Sequence, residues 1–201
     1  MTILAVLFDV GGVLSSEDEM PAHLVRAFTL PGAPDDIDHQ IATGQMAEEH
    51  FRATLIEGGA TPERADALMV EMWDWYCGIP DEVLLAWAAD LTDRVRVGII
   101  SNSADGARRE EERRYGFSSI FEHIVYSHEV GLAKPDVRIY ALACERVGVA
   151  PHEVVFIDDR PENVLAAREF GMHSVQHVDT SETIRAVEAL LTPSGGPRVQ
   201  A

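Results

Sequence analysis

Short, unbroken apolar runs that alternate with helical patterns constrain the fold of this chain more than any other feature. Three of these runs, at residues 3–8, 95–100 and 154–157, are rich in β-branched side chains, and a polar residue follows each of them. Two weaker runs lie around residues 124–125 and 174–175. Runs of this kind are typical of parallel strands that are covered by helices on both faces.

The segments between the later runs carry helical patterns. They span residues 104–115, 137–147 and 163–170, and the last two end directly before Gly148 and Gly171, which are common helix stops. Strands that alternate with helices predict an α/β fold with a doubly wound (Rossmann-like) parallel sheet.

Residues 15–87 interrupt this alternation directly after the first strand. They contain no clear strand, but they carry helical patterns at 46–56 and 62–75. We therefore expect a small all-helical cap over residues 15–87, inserted into an α/β core that is formed by residues 1–14 and 88–201.

Three smaller expectations follow from side-chain patterns. Phe51, Trp73, Trp75 and Tyr76 should form the core of the cap, because amphipathic helices bury such rings. The glutamates at 110–112 should lie on a solvated helix face and pair with arginines at helical spacing. The turn-rich residues 192–197 should fray.

The chain is strongly acidic, with 34 Asp and Glu against 16 Lys and Arg in 201 residues and a formal net charge of -18. Such a surface repels phosphate backbones and anionic lipids, so nucleic acid and membrane partners are not expected.

The two cysteines provide neither a disulfide framework nor a zinc cluster. The apolar start lacks a basic region, and no apolar run approaches the ~18 residues of a membrane span. We expect a cytoplasmic monomer or homodimer.

Polar residues follow the ends of the predicted strands. In an open parallel sheet the ligand crevice lies at the carboxyl ends of the strands, so these residues should converge there. They are Asp9, Gly11 and Gly12 after the first strand, Ser101 and Asn102 after the second, Lys134 in a later loop, and Asp158 and Asp159 after the fourth strand.

This set of residues suits phosphoryl transfer. The carboxylate of Asp9 would attack phosphorus and form an aspartyl-phosphate. Ser101 and Lys134 would hold the transferring oxygens and neutralise their charge. Clustered carboxylates repel one another, and a hard divalent cation such as Mg²⁺ relieves that repulsion.

The segments DVGGVL, SN, KPD and DD together resemble the four motifs of the haloacid dehalogenase-like (HAD) hydrolase superfamily, in the same order. The resemblance covers residues 3–14 and about 94–178, and the helical insert stands where that superfamily has a type-one cap. It implies the following site: a nucleophile Asp9, catalytic phosphate stabilisers Ser101 and Lys134, phosphate-binding Asn102 and Gly12, a supporting Asn163, and a Mg²⁺ site of Asp9, the Gly11 carbonyl and Asp158 with Asp159 in support.

Residues 8–14 and 127–136 are similar to the sugar-phosphate phosphatase branch, which includes the phosphatase domain of epoxide hydrolases. The resemblance implies a Mg²⁺-dependent phosphatase of small phosphorylated metabolites, with a sugar phosphate as the first substrate to consider.

Gly11 departs from the family pattern. Family phosphatases usually carry a second Asp there as general acid and base, a contribution of about 10²–10⁴-fold. The substrate could have a good leaving group, as acyl and anomeric phosphates do. The protein could instead be slow or inactive and only bind a phosphorylated ligand. A third alternative is an acid borrowed from the cap or from the loop after the first motif, and the candidates are Glu17, Asp18, His23 and His50.

Two other functions stay open. A metal-independent 2-haloacid dehalogenase would use the same nucleophile and would also lack the second Asp, although the retained pair Asp158 and Asp159 argues against it. A non-catalytic module would bind a phosphate ligand or a protein partner without turnover.

Overall fold

The structure is a computed structural model that describes residues 2–16, 18–29 and 36–192. Its core is a five-stranded sheet in the order β3-β2-β1-β4-β5, and all neighbouring strands are parallel. The predicted doubly wound α/β class and all five predicted strands are confirmed. The strands are β1 (Ala5–Phe8), β2 (Arg96–Ser101), β3 (His123–Tyr126), β4 (Val154–Asp158) and β5 (His173–Gln176).

Helices flank the sheet and fill the insert. Those found among the described residues are α1 (Ala22–Phe28), α2 (Ile37–Ala42), α3 (Glu48–Glu57), α4 (Pro62–Cys77), α5 (Glu82–Leu91), α6 (Ala107–Tyr115), α7 (Ser127–Val130), α8 (Val137–Val147), α9 (Pro161–Phe170) and α10 (Thr180–Leu191). In the described part of the chain, no helix combines the length and the apolar character that crossing a membrane requires.

Both faces of the sheet are buried, which explains why β1 and β4 are apolar without alternation. Val6 and Phe8 point into a cluster that includes side chains of α5 and α10. Ala5 and Leu7 point to the opposite face, where α8 and α9 cover them. Ordered layers on both sides hold the carboxyl ends of the strands in fixed positions.

Helix α5 belongs to the sheet layer by its packing. Leu84, Ala88 and Leu91 are fully buried in the same cluster as β1. The Asp81 side chain starts the helix by accepting a hydrogen bond from the backbone N–H of Leu84 at 2.8 Å. The expected cap boundary at residue 87 falls inside this helix, and the division of the chain into cap and core stays a prediction.

The helical insert consists of α1 to α4 and has a small core of its own, which includes Leu24, Leu55 and Leu68. Helix α4 begins with Thr61 as its cap and a proline at its first position. At its other end, Trp73 packs against α6 of the α/β core. The expected fraying at 192–197 concerns residues that, apart from Thr192, lie outside the described ranges.

Candidate active site

Asp9 follows the last residue of β1 and is buried, with 7% of the residue exposed. Its Oδ1 accepts a hydrogen bond from the backbone N–H of Val10 at 2.7 Å and lies 2.7 Å from Nζ of Lys134. Because both donors hold the same oxygen, the orientation of this carboxyl group is fixed.

Lys134 bridges two acidic side chains. Its Nζ also lies 2.7 Å from Oδ2 of Asp158, and the lysine side chain is 1% exposed. Burial raises the pKa of Asp9, the Lys134 ammonium opposes that rise, and the negative charge of Asp158 adds to it. A buried ammonium between two carboxylates is thus the electrostatic centre of this cluster.

Asp158 is the last residue of β4 and is fully buried. The side-chain amide of Asn163, in the first turn of α9, donates to Asp158 Oδ1 at 3.0 Å and to Oδ2 at 3.1 Å. The backbone N–H of Arg160 donates to Oδ1 at 2.9 Å. Asn163, expected to support the site, therefore orients Asp158 directly.

One acidic cluster has the chemistry of a divalent-cation site. Carboxylate oxygens of Asp9, Asp158 and Asp159 all lie within 4.8 Å of one another. Oxygen donors of this kind fit Mg²⁺. Gly12 lies against Asp159 with φ of +72°, and a Cβ there would come within 2.8 Å of the Asp159 carboxyl carbon. A glycine is thus required where the backbone meets the cluster, while the expected carbonyl ligand from Gly11 stays a prediction.

Ser101 and Asn102 lie at the end of β2, next to the loop of Lys134. Ser101 is 2% exposed. The side-chain amide of Asn102 donates to the carbonyl of Lys134 at 2.9 Å and accepts from the backbone N–H of Lys134 at 2.8 Å. Asn102 thereby positions the lysine, a role that the sequence did not predict. Direct phosphate contacts of Ser101, Asn102 and Gly12 stay predictions.

A cavity of about 120 Å³ lies beside these strand ends. It is bordered by residues of the core and of the insert together. Its walls are Val10, Gly11, Ser16, Asp18, Trp75, Tyr76, Ser101, Asn102 and Glu111.

The candidates for a borrowed acid differ in whether they border this cavity. Asp18 borders this cavity. His23 is about half exposed and pairs with Glu71 at 2.8 Å, and His50 is exposed on α3. Glu17 lies outside the described residues. Among the three candidates that the structure describes, only Asp18 borders the small cavity.

A larger cavity of about 500 Å³ adjoins the first and shares Trp75 and Tyr76 with it. Its described walls are mostly apolar and include Ile41, Phe51 and Met72. Trp73 is 4% exposed and lies in the interior as expected. The aromatic residues that were expected to form the core of the cap all line this cavity; they are Phe51, Trp73, Trp75 and Tyr76. The prediction that they only fill the core is therefore incomplete.

Glu111 is the residue of this region that the sequence analysis misplaced. The glutamates at 110–112 were expected on a solvated face, yet Glu111 is 1% exposed. Its Oε2 accepts a hydrogen bond from the Tyr126 hydroxyl at 2.5 Å. Ala107, Glu111 and Tyr115 recur every four residues, and this spacing was the signal that Glu111 shares the inward face of α6.

A sequence model described as haloacid dehalogenase-like hydrolase matches residues 3–171. The chain therefore belongs to the haloacid dehalogenase-like hydrolase family, as the resemblance of its motifs implied.

Two curated relatives are phosphatases. The phosphoserine phosphatase of Thermus thermophilus is 31% identical over 66% of this chain, and the match covers 54% of that enzyme. The glyceraldehyde 3-phosphate phosphatase of Methanopyrus kandleri is 28% identical over 87% of this chain and 83% of the relative. The chain thus matches about half the length of the Thermus enzyme.

Among solved structures, a HAD family enzyme from Bacteroides thetaiotaomicron in complex with magnesium and inorganic phosphate superposes with a TM-score of 0.72. It is 23% identical, and the match covers 91% of this chain and 100% of that one. At this level of identity the likeness establishes the shared fold.

Proposed function

We propose that the chain is a Mg²⁺-dependent phosphatase of small phosphorylated metabolites that works through an aspartyl-phosphate intermediate. The observation that carries the proposal is the bridge of Lys134 between Asp9 and Asp158 at the strand ends. Two relatives named as phosphatases and a family structure in complex with magnesium and phosphate support it.

Asp9, Asp158 and the carbonyl of Gly11 would hold the cation, with Asp159 in support. The cluster of three carboxylates supports this assignment, because it gathers negative charge that a hard cation balances. When bound, Mg²⁺ supplies positive charge that lets the phosphate approach these carboxylates.

Asp9 would act as the nucleophile, since Val10 and Lys134 hold its carboxyl group in one orientation, and the next two residues, Val10 and Gly11, border the small cavity. Lys134 would neutralise charge on the transferring phosphoryl group, and Asn102 would keep the lysine in place. Ser101 would donate to a phosphate oxygen. The helices of the insert would exclude bulk water while the phosphoryl group is transferred.

For the substrate, a sugar phosphate rests on the family resemblance alone. The larger cavity supports a second candidate, a phosphate ester whose leaving group has apolar surface. Its described walls are mostly apolar, and apolar walls bind apolar groups better than hydroxyl-rich ones.

Hydrolysis of p-nitrophenyl phosphate during a Mg²⁺ titration tests the proposal. We expect turnover that requires Mg²⁺ and is removed by chelation. Release of halide from 2-haloacids in the presence of a chelator would favour the dehalogenase instead. Binding of inorganic phosphate without turnover of any ester would favour a non-catalytic module.

A further inference from the structure

Space stands open where family phosphatases usually carry their second Asp. A Cβ built on Gly11 would meet no atom within 4 Å. The small cavity borders Gly11, Ser101 and Glu111 together. The gap at Gly11 therefore faces the same space as a carboxyl group that the chain supplies from a different element.

Helix α6 brings Glu111 to this place. The helix begins at Ala107, shortly after the end of β2, and Ala107 and Glu111 are buried one turn apart on the same face. Tyr126, the last residue of β3, fixes the carboxyl group through its bond to Oε2. Because that bond engages only Oε2, Oε1 is the oxygen that we assign to proton transfer.

We propose that Glu111 is the general acid and base of the reaction, in place of the Asp that the chain lacks at position 11. This proposal rests on the proposed phosphatase function. It differs from the alternatives drawn from the sequence, because Glu111 belongs to neither the cap nor the loop after β1.

The surroundings of Glu111 favour a carboxyl group that keeps its proton near neutral pH. Burial raises the pKa of Glu111 to about 7; the Tyr126 hydrogen bond opposes the rise, the charge of Asp9 adds to it, and Arg108 opposes it. An acid with a pKa close to the working pH is the most effective proton donor. The titratable and charged groups around it are Asp9 after β1, Tyr76 and Cys77 on α4, Arg108 and Tyr115 on α6, and Tyr126 on β3.

The proposed reaction has two steps, transfer of the phosphoryl group to Asp9 and hydrolysis of the aspartyl-phosphate. Asp9 forms a bond to phosphorus while the bond from phosphorus to the leaving-group oxygen breaks, and Glu111 gives its proton to that oxygen. The alcohol departs. Water then attacks phosphorus, the bond between phosphorus and Asp9 breaks, and the Glu111 carboxylate takes a proton from the water. The products are the alcohol and inorganic phosphate, and Glu111 is protonated again.

Leaving-group dependence separates this role from a structural one. An aryl leaving group departs without a proton and an alkyl one needs it. For Glu111→Gln we expect kcat/KM to fall about 10²-fold or more for n-butyl phosphate and less than about threefold for p-nitrophenyl phosphate. The parameter kcat/KM reports the first transfer only. Glu112→Gln, on the exposed face of the same helix, should change neither value.

Two further variants sharpen the test. Gly11→Asp combined with Glu111→Gln should regain about tenfold or more of the lost alkyl activity, because the open space at Gly11 accepts a side chain. Asp18→Asn tests the other carboxyl group on the cavity wall. A loss selective for alkyl esters in Asp18→Asn, with none in Glu111→Gln, would overturn the proposal.

The pH profile of the unmodified enzyme supplies a readout that needs no variant. The ratio of alkyl to aryl kcat/KM should fall as the pH rises through about 7, because ionised Glu111 has no proton to give. A ratio that is flat across this range, or equal losses for both esters in a folded Glu111→Gln variant, would refute Glu111 as the acid. Absence of Mg²⁺-dependent aryl hydrolysis in the unmodified enzyme would instead refute the proposed phosphatase function.

Discussion

At the scale of single residues, buried charge defines the site. Asp158 is fully buried, and its two oxygens receive hydrogen bonds from Asn163, Arg160 and Lys134. A buried carboxylate without such donors is strongly unfavourable. The donors therefore hold the Asp158 carboxyl group in one orientation, as the proposed cation site requires.

Removing the amide of Asn163 tests this orientation. In Asn163→Ala we expect the Mg²⁺ concentration for half-maximal aryl phosphate hydrolysis to rise roughly 10- to 100-fold, the usual effect of losing a group that orients a metal ligand. Glu162→Gln, an exposed neighbour in the same helical turn, is the control. An unchanged Mg²⁺ requirement in Asn163→Ala would contradict the assignment of Asp158 as a ligand.

Glu111 links burial to the pH dependence of stability. Its pKa is raised from the usual 4.5 to about 7 in the folded chain. The folded state is favoured by protonated Glu111 at low pH, and this contribution is lost as the pH rises through about 7. Gln does not ionise, so the Tm of Glu111→Gln minus the Tm of the unmodified chain should increase from about pH 5 to about pH 8. A difference that is constant across this range would contradict the burial of an ionisable group.

Strand-end positions allowed the location of the candidate site residues to be predicted from the sequence. Asp9, Ser101 and Asp158 each lie at or just after the end of a buried strand, and a parallel sheet brings such ends together. The bonds from Asn102 to the Lys134 loop were not predictable, because they depend on how two loops meet in space. Glu111 was missed because its run of charges obscured the spacing that it shares with Ala107.

At the scale of elements, α6 connects the core with the helical insert. Glu48, at the start of α3, receives hydrogen bonds from Nη1 and Nη2 of Arg109 at 3.0 and 2.9 Å and from the Trp73 indole at 2.6 Å. Its backbone N–H donates to the Asp105 side chain at 3.0 Å. One glutamate thus ties α3, α4 and α6 together, and its partners Trp73 and Asp105 line the larger cavity.

Loss of this connection should loosen the insert. In Glu48→Ala we expect a destabilisation of about 1–2 kcal/mol, discounted because the Arg109 side chain is more than half exposed. KM for aryl phosphates should rise, because the wall that binds the leaving group is less ordered. Thermal unfolding and steady-state kinetics measure both effects, and Glu49→Gln is the exposed control. A Glu48→Ala variant with an unchanged Tm would contradict the connection.

Strands were easier to predict than helices in this chain. β1, β2 and β4 are continuous apolar segments because both sheet faces are covered. Helices α1 and α2 are short and half-exposed, so they carry little periodic signal. The expected cap boundary at residue 87 cuts through α5, because the apolar side chains of this helix predict that they are buried but not against which layer.

At the scale of the whole molecule, the main feature is a pair of adjoining cavities that share Trp75 and Tyr76. The small one lies beside the strand ends, and under the proposed function the large one would offer apolar walls to the rest of a substrate. Chain segments far apart in sequence build both, so their shape was not predictable from local patterns. The whole chain carries a formal net charge of -18, and in the proposed function the buried Lys134 would supply positive charge where a phosphate binds.

The apolar walls predict substrate preference. We expect kcat/KM for a medium-chain alkyl phosphate to exceed that for glucose 6-phosphate by about tenfold or more, since each buried methylene contributes about 0.8 kcal/mol. Ile41→Thr, which places a hydroxyl group on the wall, should reduce the preference. Equal or better turnover of the sugar phosphate would contradict this role of the larger cavity.

The most direct test of the account is hydrolysis of p-nitrophenyl phosphate, with and without Mg²⁺, by the unmodified chain and by Asp9→Asn. An aryl leaving group needs no proton, so the result depends on the nucleophile and the cation but not on the acid. We predict Mg²⁺-dependent turnover that falls by at least about 10³-fold in a folded Asp9→Asn variant. Full activity in that variant, or turnover that is indifferent to Mg²⁺, would contradict the central claim.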